Sequence, residues 1–182
     1  MGGRIKRTIT SLPLKGRVVL VRIDADAPLV RGKADVEHLK MSAATINYLV
    51  RHHAKVVIVG HLSRPTMPDV TFSLLPVAQG LANILGKNVY FVDSAVGPKA
   101  AMAIQRAPAG SIIMLENLRF YRGEEANDPQ FARQLQRTTG ADYFVQDDRR
   151  AVRHAWASTD AINHILPGFA GFNVMDIWGG PG

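Results

Sequence analysis

Five polar segments carry most of the side chains that could bind a ligand or move a proton. Each follows a short apolar run, and the segments are residues 24–26 (Asp-Ala-Asp), 61–64 (His-Leu-Ser-Arg), 93–94 (Asp-Ser), 116–119 (Glu-Asn-Leu-Arg) and 146–150 (Gln-Asp-Asp-Arg-Arg). A guanidinium group binds phosphate or carboxylate through two parallel hydrogen bonds, so the arginines indicate a site for a small anion. Arg64 and Arg119 are the strongest candidates, because each comes a few residues after an apolar run. The other arginines considered as anion contacts are Arg22, Arg122, Arg149, Arg150 and Arg153.

The elements that must position these segments alternate between strand and helix. Apolar, β-branched runs predict strands over residues 17–23, 55–60, 89–92, 111–115 and 143–145. Helices are predicted over about 35–52, 73–85, 98–106, 129–139 and from Ser158 to before Pro167, with N-caps at Ser73 and Asp128 and stops at Gly86 and Gly140. The alternation predicts an α/β fold, a three-layer αβα sandwich with a mainly parallel, Rossmann-like sheet of about five or six strands. Ligands of such sheets bind at the carboxyl ends of the strands, where the five polar segments would lie.

Composition excludes several classes of protein. The 182 residues include no cysteine, so disulfides, thiolate metal sites and cysteine nucleophiles are absent. No apolar run approaches the roughly 20 residues that a membrane helix needs, and we expect a cytoplasmic protein. The net charge of +7 favours anionic partners, but the basic residues are spread out and match no nucleic-acid-binding pattern, so nucleic acid is disfavoured. Walker A, Gly-x-Gly-x-x-Gly and Gly-x-Ser-x-Gly motifs are all missing.

Several segments have distinctive sequences that occur in a fixed order. Residues 21–29 are Val-Arg-Ile-Asp-Ala-Asp-Ala-Pro-Leu, residues 61–65 are His-Leu-Ser-Arg-Pro, and residues 115–120 are Leu-Glu-Asn-Leu-Arg-Phe. These segments resemble Val-Arg-Val-Asp-Phe-Asn-Val-Pro-Leu, His-Leu-Gly-Arg-Pro and Leu-Glu-Asn-Leu-Arg-Phe of the phosphoglycerate kinase family. Residues 147–158 are similar to that family's Asp-x-Phe-Gly-x-x-His-Arg-Ala-His-Ala-Ser, and residues 73–78, 91–93, 96–98, 123–125 and 166–170 also fit in order. The resemblance covers roughly residues 5–172.

The resemblance implies a phosphoglycerate-kinase-like N-terminal domain over residues 1–172 and a C-terminal tail over 173–182. In that family the N-terminal domain binds 3-phosphoglycerate or 1,3-bisphosphoglycerate, and the C-terminal domain binds Mg-ADP or Mg-ATP. The complete enzyme is a glycolytic phosphotransferase with a carboxyl group as acceptor. We therefore expect no cofactor on this chain and no catalysis by it alone. The expected partners are 3-phosphoglycerate or a similar small anion, and a separate C-terminal domain or another protein.

Seven residues match the family's substrate contacts, and three of them differ from the family pattern. The matching residues are Asp24, Asp26, His38, His61, Arg64, Arg119 and His154. Asp26 stands where the family has Asn, and His38 and His154 stand where it has Arg. Trp156 replaces the last His of the motif, and Arg149 and Arg150 replace its Phe-Gly pair. Because two guanidinium groups are lost and one negative charge is gained relative to the family, we expect weak phosphoglycerate binding. Arg149 and Arg150 are candidate added anion contacts.

The same changes leave two other hypotheses about the function open. One is a repurposed or engineered domain with a metal or small-anion site, for which His38, His61, His154 and Asp24 are the candidate metal ligands. The other is a non-catalytic interaction subunit. In that case the apolar residues of the C-terminal segment would contact a partner, namely Phe172, Met175, Ile177 and Trp178. Alternatively, these residues fold back on their own domain.

Overall fold

A six-stranded parallel sheet forms the centre of the protein. The computed structural model describes residues 8–177, except for the side chains of Val36 and His38. The sheet strands are β1 (Val18–Arg22), β4 (Lys55–Val59), β5 (Val89–Val92), β6 (Ile112–Leu115), β7 (Tyr143–Gln146) and β8 (Gly168–Ala170), and a hairpin adds β2 (Leu29–Val30) and β3 (Lys33–Ala34). The order across the sheet is β5-β6-β4-β1-β7-β8, and every neighbouring pair is parallel. The predicted α/β fold is confirmed.

Side chains that alternate along the strands divide the core into two halves. Val19 and Val21 of β1 pack on one face of the sheet, whereas Leu20 packs on the other. Strand β4 repeats this pattern, because Val56 and Ile58 face the first half and Val57 faces the second. A parallel sheet that is apolar on both faces needs a helix layer on each side.

Two helix layers cover the sheet and make the three-layer sandwich. The helices are α1 (Val36–Arg51), α2 (Leu75–Leu85), α3 (Pro98–Arg106), α4 (Arg122–Glu125) and α5 (Pro129–Thr139). Helices α1 and α2 contribute to one core half, and α3 and α5 to the other. No helix within residues 8–177 is long and apolar enough to cross a membrane.

Local signals set most helix ends as predicted. The carboxylates of Asp35 and Asp128 accept hydrogen bonds from the first turns of α1 and α5, and Gly86 and Gly140 end α2 and α5 in the left-handed conformation. The predicted N-cap of α2 at Ser73 is wrong, because the helix begins at Leu75 and Leu74 is its N-cap residue. The Ser73 hydroxyl oxygen accepts a hydrogen bond from the Leu75 N–H and donates one to the Glu116 carboxylate.

The predicted last helix is wrong. Only a 3₁₀ turn, Ala161–His164, forms between Ser158 and Pro167. The Ser158 hydroxyl does not cap a helix, because it donates a hydrogen bond to the buried Glu124 carboxylate instead. Polar side chains with partners elsewhere compete with helix formation in this way. Strand β8 follows, in a segment for which no strand was predicted.

Candidate functional site

The carboxyl ends of the central strands enclose a small polar cavity. Strand β1 leads to Asp24 and Asp26, β4 leads to His61 and Arg64, and β7 leads to Arg150. These side chains line a cavity of about 140 Å³ together with Ser63, Ala151, His154 and Trp156. Parallel strands that end at one edge therefore bring the separate polar segments together, as expected for this fold.

A buried arginine supports the floor of the site. Arg22, at the end of β1, has no exposed surface. One of its terminal nitrogens lies 3.1 Å from the Glu124 carboxylate and 2.6 Å from the Ser158 hydroxyl, and the carboxylate also accepts hydrogen bonds from the N–H and hydroxyl of Ser158. Its Nε lies 3.5 Å from the Asp148 carboxylate. A buried charge needs such partners, so Arg22 serves the scaffold and is not available as a ligand contact.

His61 is held neutral by its surroundings. The other terminal nitrogen of Arg22 lies 2.7 Å from Nδ1 of His61. Because a guanidinium only donates, Nδ1 accepts and the ring proton resides on Nε2. Burial, together with the positive charges of Arg22 and Arg119, lowers the pKa of His61 to about 3. His61 therefore offers a ligand one neutral N–H donor.

Trp156 covers Arg119. The guanidinium carbon of Arg119 lies 4.2 Å from the centre of a Trp156 ring, and only 6% of Arg119 is exposed. Arg119 also pairs with the Glu125 carboxylate. Cation–π contact and ion pairing both stabilise the charge in place. The predicted anion contact Arg119 thus lies beneath the indole and does not line the cavity.

Asp24 and Asp26 already have partners within the site. The Arg150 guanidinium donates two hydrogen bonds to the Asp24 carboxylate, one of 2.5 Å from Nε and one of 2.6 Å from a terminal nitrogen. This hydrogen bonding raises the pKa of Arg150. The Asp26 carboxylate accepts a hydrogen bond of 2.8 Å from the Ser63 N–H. An anion that enters the cavity has to compete with Asp24 for Arg150.

The remaining predicted residues lie in three different environments. His154 is exposed and stacks on Trp156, with ring centres 4.4 Å apart and planes 1° apart. Arg149 points away from the cavity and forms a two-point ion pair with Asp176. His38 lies in α1, and its side chain is outside the described residues.

The described part of the chain does not support the hypothesis of a metal site. Within residues 8–177, leaving aside the His38 side chain, no three histidine or carboxylate groups are placed to hold a metal ion. Asp24, one of the four candidate ligands, is bound by Arg150, and His61 directs Nδ1 at Arg22.

The start of the C-terminal segment folds back on the domain. Asp147, which is 1% exposed, accepts hydrogen bonds from the Thr45 hydroxyl at 2.7 Å and from the side-chain amide of Asn173 at 2.9 Å. Val174 is fully buried, and Phe172 packs edge-on against Tyr48. Met175 packs against the small core cluster around Val174, whereas Ile177 is 38% exposed. Trp178 lies outside the described residues.

Sequence reasoning missed the internal partners of the site. Glu124, Ser158 and Asp148 make the buried network around Arg22. Asp148 lies in one of the five polar segments, but neither Glu124 nor Ser158 was considered a functional residue. The signal was present in β1, where an arginine interrupts an otherwise apolar run. Such a residue requires a buried carboxylate from elsewhere in the chain.

Known proteins match this chain in sequence and in structure. A sequence model of the phosphoglycerate kinase family matches residues 9–176. The phosphoglycerate kinase of Wolbachia sp. subsp. Drosophila simulans is 41% identical over 170 residues, which are 93% of this chain and 42% of that protein. That of Moorella thermoacetica is 41% identical over 169 residues, 92% of this chain and 42% of the relative.

Solved structures agree with these relatives. Phosphoglycerate kinase from Pyrococcus horikoshii superimposes with a TM-score of 0.82 at 26% identity, and that from Coxiella burnetii with a TM-score of 0.80 at 28% identity. Each superposition covers 92% of this chain and 42% of the other. The chain therefore spans about two fifths of the length of the relatives it matches.

Proposed function

The chain belongs to the phosphoglycerate kinase family, and on this premise we propose that it is the phosphoglycerate-binding half of such a kinase. One observation carries the proposal: Asp24, His61 and Arg64, which match the family's substrate contacts, line one cavity at the carboxyl ends of the strands. With a nucleotide-binding half, the reaction would be reversible phosphoryl transfer between 1,3-bisphosphoglycerate and ADP.

Arg64 is the residue on which phosphoglycerate binding depends most. Four guanidinium groups surround the site, and five carboxylates lie among them. The arginines are Arg22, Arg64, Arg119 and Arg150, and the acidic residues are Asp24, Asp26, Glu124, Glu125 and Asp148. Within the described residues, Arg64 alone of the four arginines has no ion pair or hydrogen bond. It is exposed at the rim of the cavity and can bind an anion without losing an internal partner.

The internal charge balance makes binding weak. Arg150 would have to exchange a two-point contact with Asp24 for one with the ligand, and Arg119 is covered by Trp156. Each charge-assisted contact that is not gained removes about 1.5–3 kcal/mol of binding energy. Two such contacts correspond to a loss of affinity of about 10² to 10⁴.

Mg-ADP or Mg-ATP would be bound by the nucleotide half and not by this chain. Among the described side chains there is no group of carboxylates or histidines suited to a metal ion, so the residues present do not fit a resident metal. In-line phosphoryl transfer needs both substrates positioned together, so this chain alone has no catalytic step to perform.

Titration with 3-phosphoglycerate at low salt tests the proposal. Isothermal calorimetry should show weak, saturable binding that Arg64→Gln abolishes and that Arg106→Gln, a surface control on α3, leaves unchanged. A triple variant that restores the family's residues at three positions, Arg150→Gly with His154→Arg and Trp156→His, should bind at least about tenfold more tightly. In this variant Arg119 is uncovered, and the guanidinium of Arg150, which Asp24 holds, is exchanged for one at position 154. Absence of binding by both the wild type and the triple variant would refute the proposal.

A further inference from the structure

A second group of arginines lies outside the strand-end cavity. An open groove of about 910 Å³ runs between the segment from Phe120 to Gly123 and one face of α5. Arg122 forms one wall, and Arg133 and Arg137 form the other. None of the residues that line the 140 Å³ cavity lines this groove.

The three groove arginines are free of carboxylate partners. All three are exposed, and none makes an ion pair or a side-chain hydrogen bond within the described part of the chain. The strand-end arginines Arg22 and Arg119 differ, since each is paired with a carboxylate. An anion that enters the groove therefore does not have to displace an internal carboxylate, and its binding relieves repulsion between like charges.

The geometry of the groove suits a chain of phosphates. Arg133 and Arg137 are one helical turn apart on α5, which places their side chains side by side about 5–6 Å apart at Cβ. Gln130 and Gln134 add amide donors to the same groove. Among the described residues, Asp128 is the only carboxylate that lines the groove. It already accepts a hydrogen bond of 2.8 Å from the Gln130 N–H as the cap of α5.

We propose that this groove binds a linear oligophosphate. Planar guanidinium forks bind phosphate oxygens in two-point contacts, and three forks on two walls favour several linked phosphates over one. The volume of the groove is far larger than one phosphate group requires. The site is independent of the phosphoglycerate site, since the two share no lining residue.

Inorganic tripolyphosphate is the probe for this site. Addition to the ¹⁵N-labelled chain at low salt should shift the amide resonances of residues 120–137, leave those of residues 24–26 and 61–64 in place, and show at least about tenfold tighter binding than orthophosphate. The double variant Arg133→Gln, Arg137→Gln should bind at least about tenfold more weakly. The matched double variant Arg51→Gln, Arg106→Gln, which has the same net charge, should bind like the wild type.

Two results of these titrations would overturn the proposal of an oligophosphate site. Equal weakening in both double variants would show that net charge alone attracts the anion and would overturn the proposal. Shifts at the strand-end residues in place of the groove would also overturn it, and this result needs no variant to fold. A parallel titration with a nucleoside triphosphate distinguishes the two kinds of ligand that carry linked phosphates. An affinity equal to that for tripolyphosphate indicates that the groove recognises free oligophosphate, whereas a higher affinity indicates that it recognises the phosphates of a nucleotide. A failure of 3-phosphoglycerate to bind would leave the groove proposal unaffected.

Discussion

Replacing the buried Asp147 should change how the stability of the protein depends on pH. Burial raises the pKa of Asp147 from its ordinary value of 3.8 to about 6, although hydrogen bonds from Thr45 and Asn173 oppose the shift. Because the folded state holds this proton more tightly than the unfolded state, the group contributes stability that is present below pH 3.8 and is lost as the pH rises through 6. Between pH 4 and pH 7 this loss amounts to about 2 kcal/mol.

His61 works in the opposite direction over the same range. Its pKa falls from 6.5 to about 3 on folding, first because of burial. The unfolded state then binds the proton more tightly, so stability is lost as the pH falls from 6.5 towards 3, by about 3 kcal/mol between pH 7 and pH 4. In the wild-type protein the contributions of Asp147 and His61 nearly cancel.

Asp147→Asn removes one side of this balance. Relative to the wild type, the free energy of unfolding of this variant should be about 2 kcal/mol higher at pH 7 than at pH 4. For a protein of this size the change corresponds to about 5–10 °C in the relative melting temperature. Urea unfolding followed by circular dichroism at pH 4, 5, 6 and 7 measures it.

Asp176→Asn is the matched control, because its carboxylate is 62% exposed and the substitution also removes one negative charge. Its stability relative to the wild type should change little across the series. A relative stability of Asp147→Asn that stays constant within about 0.5 kcal/mol would refute the reasoning. Carboxyl ¹³C titration of the wild-type protein gives a second reading, since a midpoint of Asp147 near 3.8 would contradict the buried pKa directly.

Three further substitutions test the contacts of the site. Trp156→Ala should cost about 2 kcal/mol of stability, and by exposing His61 it should raise the pKa of that ring from about 3 towards 6.5; an NMR midpoint that stays near 3 would contradict the covering role of the indole. Arg22→Met should destabilise the protein by about 3–5 kcal/mol, since it strands buried carboxylates, and Glu124→Gln in the same chain should restore part of the loss; additive losses in urea unfolding would argue against the pair. Gly171→Ala should destabilise the protein because a Cβ there collides with the Asp147 side chain, including its Cβ, and much less so in an Asp147→Gly background; equal losses in both backgrounds would exclude this collision.

Sequence patterns were sufficient for the parts of the fold that depend on local chemistry. Asp35, Asp128, Gly86 and Gly140 act within one helical turn, so their effect on helix ends follows from residue type. The β-branched runs similarly indicated the five longest sheet strands. The helix predicted after Ser158 is wrong because the Ser158 hydroxyl is used by Glu124, 34 residues earlier in the chain. Nothing in the nearby sequence reports such a partner.

The candidate site shows the same division. Its location followed from the strand ends, but whether an arginine is free or paired depends on residues far away in sequence. Arg22 and Glu124 are 102 positions apart, and Arg150 and Asp24 are 126 apart. The sequence therefore indicated which groups meet at the edge of the sheet, and only the folded structure shows that Arg64 has no partner among the described residues.

Three of the departures from the family pattern, Arg150, His154 and Trp156, make contacts at the strand-end cavity. Arg150 neutralises Asp24, Trp156 covers Arg119, and His154 stacks on Trp156. Each of these contacts uses inside the protein, or covers, a group that a ligand could otherwise bind, whereas Arg64 has no ion pair among the described residues. Restoring one position alone leaves the other contacts in place. The single variant His154→Arg adds a fifth guanidinium to the site, but Trp156 still covers Arg119. The single variant Trp156→His uncovers Arg119, but Arg150 still holds Asp24. We therefore expect the gain in phosphoglycerate affinity from reverting the three positions together to exceed the sum of the gains from the single reversions.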